Sequence, residues 1–250
     1  GLRLPERRGA PPCAAHGTVD HEGFTAERLV LESEPAVRLP ALLLRPKQGG
    51  DRGPLVLHIS DEGKPAAAAQ PSLALELVRA GQLVFSLDVR GAGETDPRDR
   101  PKLLPLTRYD PQQFQFDSSA VATAQLGTTL LAMQTFDVIR GLDWIASRDD
   151  LAGRPVVLVG EGLGGVWALA SAAFDPRPAA VACVRTVPSY RLITGSRYYA
   201  CRDYFWVPRA LQTFDLPDLA SLVAPRRLAW IDPVDAMLEP LPPDRCQDLF

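Results

Sequence analysis

The stretch that decides the fold is residues 156–165, which read Val-Val-Leu-Val-Gly-Glu-Gly-Leu-Gly-Gly. Its four leading apolar residues are typical of a strand that is buried on both faces of a parallel sheet. The glycine cluster then predicts a tight turn, and the apolar residues from Leu163 onward predict a helix. A strand, a turn and a helix in this order form one unit of an α/β domain.

The same alternation continues on both sides of this stretch. Helices are predicted after residue 71 and over residues 117–148, the second with an N-cap from residues 117–119. Strands that alternate with helices predict a mostly parallel, twisted sheet with helices on both faces, and functional sites at the carboxyl ends of its strands. Further buried strands are predicted at 54–59, 83–87, 179–184 and 227–231, after an antiparallel hairpin at 26–31 and 36–44.

Two segments do not fit this alternation. Residues 1–22 are rich in Pro, Arg and Gly without an apolar period, which predicts a tail or linker before a single domain at residues 23–250. Residues 96–117 contain four prolines and predict a long loop. Loops of this length inside a domain are usually functional.

Composition excludes several classes of partner. The chain has 250 residues with 27 basic and 30 acidic side chains, a net charge of −3, and both signs are scattered. This balance gives no reason to expect nucleic acid as a partner. No apolar run approaches the ~18–20 residues of a membrane span, so no membrane partner is expected either. The four cysteines show no metal-ligand spacing, and no metal site is predicted.

The glycine cluster also fits the pattern G-x-G-x-x-G through Gly160, Gly162 and Gly165. In that pattern the glycines let a pyrophosphate approach the start of a helix. Arg185 follows about twenty residues later, where the pattern places an acid, or an arginine for a 2′-phosphate. An NAD(P)-binding oxidoreductase domain is therefore one alternative.

Three further motifs favour a different family. They are residues 88–95 (DVRGAGET), residues 137–145 (DVIRGLDWI), and residues 214–220 (FDLPDLA) with 224–226 (APR). Together with the glycine cluster they resemble the α/β-hydrolase superfamily, in particular acetyl xylan esterases and prolyl-oligopeptidase-like esterases. The resemblance runs from about residue 24 to residue 240. It implies a three-layer α/β-hydrolase fold, here with its C-terminal part truncated, and a nucleophile elbow of the G-x-S-x-G type at residues 160–164.

The resemblance assigns roles to individual positions. The nucleophile position falls on Gly162, which has no side chain to attack with. The oxyanion hole would be formed by the backbone at Leu163 and by the loop at Ser60 and Asp61. The catalytic acid would be Asp235, with Asp232 as the alternative.

The downstream histidine of the family is missing, because the sequence ends at Phe250 without a histidine after Asp235. The alternative interpretation of both aspartates is that they cap a turn, since Asp-Pro at residues 232–233 commonly starts one. Ser60, Ser189 and Cys183 are conceivable substitute nucleophiles, but none lies at the elbow.

Three further side chains are expected near the pocket. His58, at the end of a central strand, would orient the oxyanion loop or serve as a hydrogen-bonded core residue. Glu161 would lie at the pocket rim as a base or as a solvated carboxylate. Arg90 would clamp an anionic substrate or hold loops together through a carboxylate. Aromatic residues at 196–199 and 204–206 suit either a sugar-stacking platform or a lid.

These observations predict a carbohydrate esterase-type domain whose serine-hydrolase chemistry is disabled, with no cofactor. The resemblance implies a carbohydrate ester or another small acyl ester as ligand, further domains of a larger polypeptide as partners, and a secreted or periplasmic location. A second possibility is an active carboxylic ester hydrolase whose serine was replaced and whose histidine lies outside this chain. The NAD(P)-binding oxidoreductase is the third.

Overall fold

The described part of the chain is built around a mixed eight-stranded sheet. The computed structural model describes residues 4–6, 9–49, 53–64, 72–96, 123–200, 207–242 and 245–246. The strand order is β1-β2-β3-β5-β4-β6-β7-β8. The strands are β1 (Cys13–His21), β2 (Phe24–Glu34), β3 (Val37–Pro46), β4 (Leu55–Ser60), β5 (Leu83–Leu87), β6 (Val156–Glu161), β7 (Pro178–Val184) and β8 (Arg227–Ile231).

The sheet has an antiparallel part and a parallel part. Strands β1, β2 and β3 pair antiparallel with one another, and β3 pairs antiparallel with β5. The run β5-β4-β6-β7-β8 is parallel throughout. Every residue of β4 and β5 is buried, as their continuous apolar sequences predict. The predicted mostly parallel sheet and the predicted hairpin are both confirmed.

Helices cover both faces of the sheet. The strand residues alternate between two apolar clusters: Leu55 and Leu57 of β4 belong to the larger one, and Val56 belongs to the smaller one. Helices α2, α3 and α5 pack in the larger cluster and α1 packs in the smaller one, which confirms the predicted three layers. The helices are α1 (Leu73–Arg79), α2 (Leu130–Ser147), α3 (Leu163–Phe174), α4 (Tyr190–Thr194) and α5 (Leu216–Val223).

Helix α2 begins later than its sequence predicts. The capping residues proposed at 117–119 lie outside the described residues, as does the predicted loop beyond Asp96. The helix starts at Leu130, where the Thr129 hydroxyl accepts a hydrogen bond from the Ala132 N–H, and Gly127 turns the preceding chain at φ +72°. Although α2 has 18 residues, no helix of the described residues is long and apolar enough to cross a membrane.

The N-terminal segment differs from its prediction. Residues Cys13–His21 form β1, the outermost strand beside β2, with a register shift between Ala15 and Thr18. All nine residues are exposed. Because neither face of the strand packs in the core, no alternation of apolar and polar residues is required, and the sequence gives no strand signal here. Part of the stretch predicted as a tail or linker is therefore a strand of the sheet.

Candidate active site

The glycine cluster forms a sharp turn at the carboxyl end of β6. Gly162 lies between β6 and α3 with φ +58° and ψ −125°, a conformation that strains any residue with a side chain. Its N–H donates to the Val184 carbonyl at 3.0 Å, and its carbonyl accepts from the Thr186 hydroxyl at 2.9 Å. The turn therefore places Gly162 at the edge of the sheet formed by the carboxyl ends of the parallel strands.

The flanking glycines are required by close packing. A Cβ atom at Gly160 would lie 2.2 Å from the Gly164 carbonyl oxygen, and one at Gly164 would lie 2.2 Å from the Ile59 carbonyl oxygen. A Cβ at Gly165 would lie 1.9 Å from the Thr186 hydroxyl. Small residues are thus needed where α3 crosses the backbone of β4 and β6.

Gly162 has a different neighbour. A Cβ atom there would lie 2.3 Å from Oδ1 of Asp61, and its three nearest atoms all belong to that carboxylate group. The Asp61 side chain therefore fills the space directly above the centre of the turn. Sequence reasoning assigned Asp61 a backbone role in the loop after β4 and missed this position of its carboxylate.

Short local hydrogen bonds fix the loop that carries Asp61. The Ser60 hydroxyl accepts from the Glu62 N–H at 3.2 Å, and the Ser60 carbonyl accepts from the Gly63 N–H at 3.0 Å. The Lys64 ammonium donates to Asp88 at 2.8 Å, and the Lys64 backbone N–H donates to the same carboxylate. Asp88 thus ties this loop to the turn that follows β5.

Asp88 is a buried acceptor that joins two loops, a role that its motif at residues 88–95 does not reveal. Its side chain is fully buried and also accepts from the Glu94 N–H at 3.0 Å. Burial raises the pKa of Asp88, and the nearby Lys64 charge and hydrogen bonds oppose that rise. A Cβ at Gly63 would lie 2.0 Å from Cα of Gly93, so the two turns are packed backbone to backbone.

Arg90 does not line the pocket. Its Nε and Nη2 donate to Asp137 at 2.7 and 2.6 Å, and Nη2 donates to Glu34 at 2.6 Å. Burial alone lowers the pKa of Arg90, but the hydrogen bonds and charges of Asp137 and Glu34 outweigh it and raise the pKa. The structure favours the structural alternative, in which Arg90 joins α2 to the β2–β3 hairpin.

A pocket of about 350 Å³ opens above the turn. Its lining includes Gly162 and four other residues that the sequence predicts near the site: Ser60, Asp61, Glu161 and Leu163. Other polar lining residues are Glu62, Ser72 and Arg185, and the remaining wall is mainly aliphatic. A small, partly apolar pocket with a few convergent polar groups is typical of a ligand site.

His58 reaches this pocket only through Glu161. The imidazole is 1% exposed; its Nε2 lies 2.8 Å from Oε2 of Glu161 and its Nδ1 lies 3.1 Å from the Ser86 hydroxyl. Because both ring nitrogens already have partners, His58 is placed to orient Glu161 rather than to take a proton from a group at Gly162. This is the hydrogen-bonded core role that was one of its two interpretations.

The two candidate acids lie in the loop after β8. Oδ1 of Asp235 accepts from the Met237 and Glu239 N–H groups at 2.8 and 3.1 Å, which caps its own turn. Asp232 is exposed, with φ +47°. Neither side chain lines the pocket, although Val234 and Leu238 of the same loop do. The role of catalytic acid stays a prediction.

Two of the three substitute nucleophiles, Cys183 and Ser189, are engaged elsewhere, whereas Ser60 lines the pocket. Burial raises the pKa of Cys183 to about 12, and its thiol lies 3.4 Å from the Gly165 carbonyl. The Ser189 hydroxyl is bonded to Asp215 and accepts from the Arg191 N–H, so it caps α4. Neither group is a reactive nucleophile in this setting.

The predicted aromatic segments are described in part. Tyr198 and Tyr199 are 65% and 43% exposed, next to the pocket-lining Ala200. Arg197 lies over the Tyr198 ring at 5.3 Å. Residues 204–206 lie outside the described residues. Among the residues that the structure describes, no group of three or more His, Cys, Asp or Glu side chains is placed to hold a metal ion.

Comparison by sequence gives a distant relative. No protein-family model matches the chain. A Bacillus subtilis (strain 168) protein, "Putative hydrolase YtaP", is 24% identical over 220 residues, which cover 83% of this chain and 68% of that protein.

Comparison by structure gives esterases. The crystal structure of a "putative acetyl xylan esterase" from Bacteroides fragilis NCTC 9343 has a TM-score of 0.74 at 18% identity over 93% of this chain, which spans only 64% of that protein. The acetyl xylan esterase from Paenibacillus sp. R4 has a TM-score of 0.58 at 18% identity, over 87% of this chain and 72% of its own. A glucuronoyl esterase from Solibacter usitatus has a TM-score of 0.61 at 15% identity, over 91% of this chain and 69% of that protein. The chain has the α/β-hydrolase fold of these structures.

Proposed function

We propose that this chain is an esterase-fold domain that binds a carbohydrate ester, or another small acyl ester, without serine-type hydrolysis. One observation carries the proposal: the centre of the turn after β6 is Gly162, and the Asp61 carboxylate fills the space above it. The esterase relatives named above support the choice of ligand class.

The missing hydroxyl is decisive for serine chemistry. The hydroxyl attacks the ester carbonyl, and an imidazole accepts and returns its proton. In a protease where this was dissected, losing either group lowered kcat by a factor on the order of 10⁶, equivalent to roughly 8 kcal/mol of transition-state stabilisation. Here position 162 has no side chain, and the buried His58 is bonded to Ser86 and Glu161.

The pocket retains features that suit binding. The Leu163 N–H opens α3, where a helix N–H has no carbonyl partner within the helix. Ester carbonyl oxygens accept such donors. Close to the pocket-lining Ala200 in the chain, the exposed Tyr198 side chain carries the Arg197 guanidinium over its ring, and an aromatic side chain of this kind suits contact with a sugar.

Ligand titration tests this function. We expect an acetylated xylo-oligosaccharide to bind the full chain, measured by chemical-shift changes or calorimetry. Leu238→Trp, which adds bulk at an exposed pocket-lining position, should weaken binding at least tenfold. Leu222→Trp, at an exposed position on α5 that does not line the pocket, is the matched control and should leave binding unchanged.

A second measurement tests the absence of serine chemistry. A serine-directed fluorophosphonate should not label the chain, and a chromogenic acetyl ester should give no burst of product. Labelling of any serine at stoichiometric yield, or failure of the ester to bind at millimolar concentration, would overturn the proposal.

A further inference from the structure

We propose that the Asp61 carboxylate is a general base of this pocket, so that the chain hydrolyses small activated esters with water and without a covalent intermediate. The inference rests on the pocket that the proposed function assigns to the ester. It goes beyond that function by adding an activity, carried by a residue from the loop after β4.

The position of the carboxylate is the first step. Oδ1 of Asp61 lies 2.3 Å from the point where a Cβ of residue 162 would stand. A side-chain oxygen at residue 162 would project into this same space. Asp61 therefore brings an acceptor oxygen, from the loop after β4, to the place where the elbow would otherwise hold its reactive oxygen.

The rigidity of the loop is the second step. The loop is closed by the Ser60–Gly63 and Ser60–Glu62 hydrogen bonds and is tied to the buried Asp88 through Lys64. A base held in this way loses little entropy when it meets a substrate. Leu163, the first residue of α3, also lines the pocket, and its N–H is the donor that the inference assigns to the carbonyl oxygen.

The choice of Asp61 over Glu161 is the third step. Both carboxylates line the pocket, and Oε2 of Glu161 lies 2.8 Å from Nε2 of the buried His58. The three atoms nearest to a Cβ at Gly162 all belong to the Asp61 carboxylate group. Of these two carboxylates, it is the one above the turn.

The reaction balances with water as the only co-reactant. Asp61 accepts a proton from a water molecule while the water oxygen forms a bond to the ester carbonyl carbon, and the carbonyl oxygen becomes the oxyanion beside the Leu163 N–H. The bond from that carbon to the alcohol oxygen then breaks, and the leaving oxygen takes the proton from Asp61. Ester and water give acid and alcohol, and Asp61 returns to a carboxylate.

Hydrolysis of p-nitrophenyl acetate by the full chain tests the inference. General-base catalysis contributes about 10²–10⁴-fold. We expect turnover above buffer in the unaltered chain, and a loss of about 100-fold or more in kcat/KM for Asp61→Asn. Asp149→Asn, the same change at an exposed aspartate away from the pocket, should match the unaltered chain.

An isotope experiment on the unaltered chain does not depend on how the variants fold. In single turnover in H₂¹⁸O, the label should enter the acetate and not Asp61. Label in Asp61, no turnover above buffer, or full activity in Asp61→Asn would each overturn the inference. Ester binding without turnover would overturn this inference alone, whereas failure of the ester to bind would overturn the proposed function.

Discussion

The turns that follow β5 and β6 lie on either side of β4 at the same end of the sheet, and they differ in what their side chains do. The first, at residues 88–95, supplies Asp88 and Arg90, which are bonded to charged partners on other elements. The second, at residues 160–165, supplies close backbone packing and no reactive side chain at its centre. The first turn thus holds neighbouring elements together through charged side chains, whereas the second does so through backbone packing alone.

The largest expected effect concerns the first turn. Asp137→Asn should lower the free energy of unfolding by about 3–5 kcal/mol, because it removes the buried charge that faces Arg90. Glu34→Gln changes the more exposed partner of the same arginine and should cost less than about 1 kcal/mol. Urea unfolding measures both. Equal losses would show that the two carboxylates are equivalent and would weaken the contrast between the turns.

The next effect concerns a flank of the second turn. Gly164→Ala should lower the free energy of unfolding by about 3 kcal/mol, because its Cβ would lie 2.2 Å from a backbone oxygen of β4 that cannot rotate away. The same urea experiment measures it. A loss below about 1 kcal/mol would mean that the strand and helix separate easily here.

The centre of the second turn should be more tolerant. Gly162→Ala should cost about 1–2 kcal/mol, from backbone strain and from displacement of the Asp61 carboxylate. Adding Asp61→Ala should recover part of that loss, because the contact is then removed. If Gly162→Ala costs as much as Gly164→Ala, the centre is as closely packed as its flank.

The smallest effect is chemical. Cys183 lies beneath α3, and burial raises its pKa to about 12, so little thiolate forms at pH 8 in the folded chain. Iodoacetamide should therefore label the exposed Cys13 first and Cys183 only after denaturation, as measured by peptide mass spectrometry. Equal rates at pH 8 would indicate that α3 opens frequently.

The elements that could be predicted from the sequence are those whose packing leaves a pattern in consecutive residues. Strands β4 and β5 were predictable because burial on both faces leaves a continuous apolar run in the local sequence. The second turn was predictable because its close backbone contacts require small residues, and these appear in the sequence as glycines at fixed spacing. The start of α2 was placed too early although its signals, the turn at Gly127 and the cap at Thr129, are local.

Part of the pocket lining was predictable from the sequence, but the side-chain contacts around it were not. Ser60, Asp61, Glu161 and Leu163 do meet around Gly162, since the carboxyl ends of parallel strands lie together. The Asp61 carboxylate lies next to Gly162, a residue far away along the chain, and no local pattern reveals that contact. Asp88 has partners nearer in the chain, Lys64 and Glu94, but its motif does not reveal that it is the acceptor that joins them.

The irregular outer strand β1 has a consequence for solubility. A regular edge strand offers a ladder of backbone groups on which another chain can polymerise. In β1 the ladder is interrupted between Ala15 and Thr18, with Gly17 at φ +89°, and His16 and Asp20 are solvated. This margin of the sheet is therefore a poor template for amyloid-like growth.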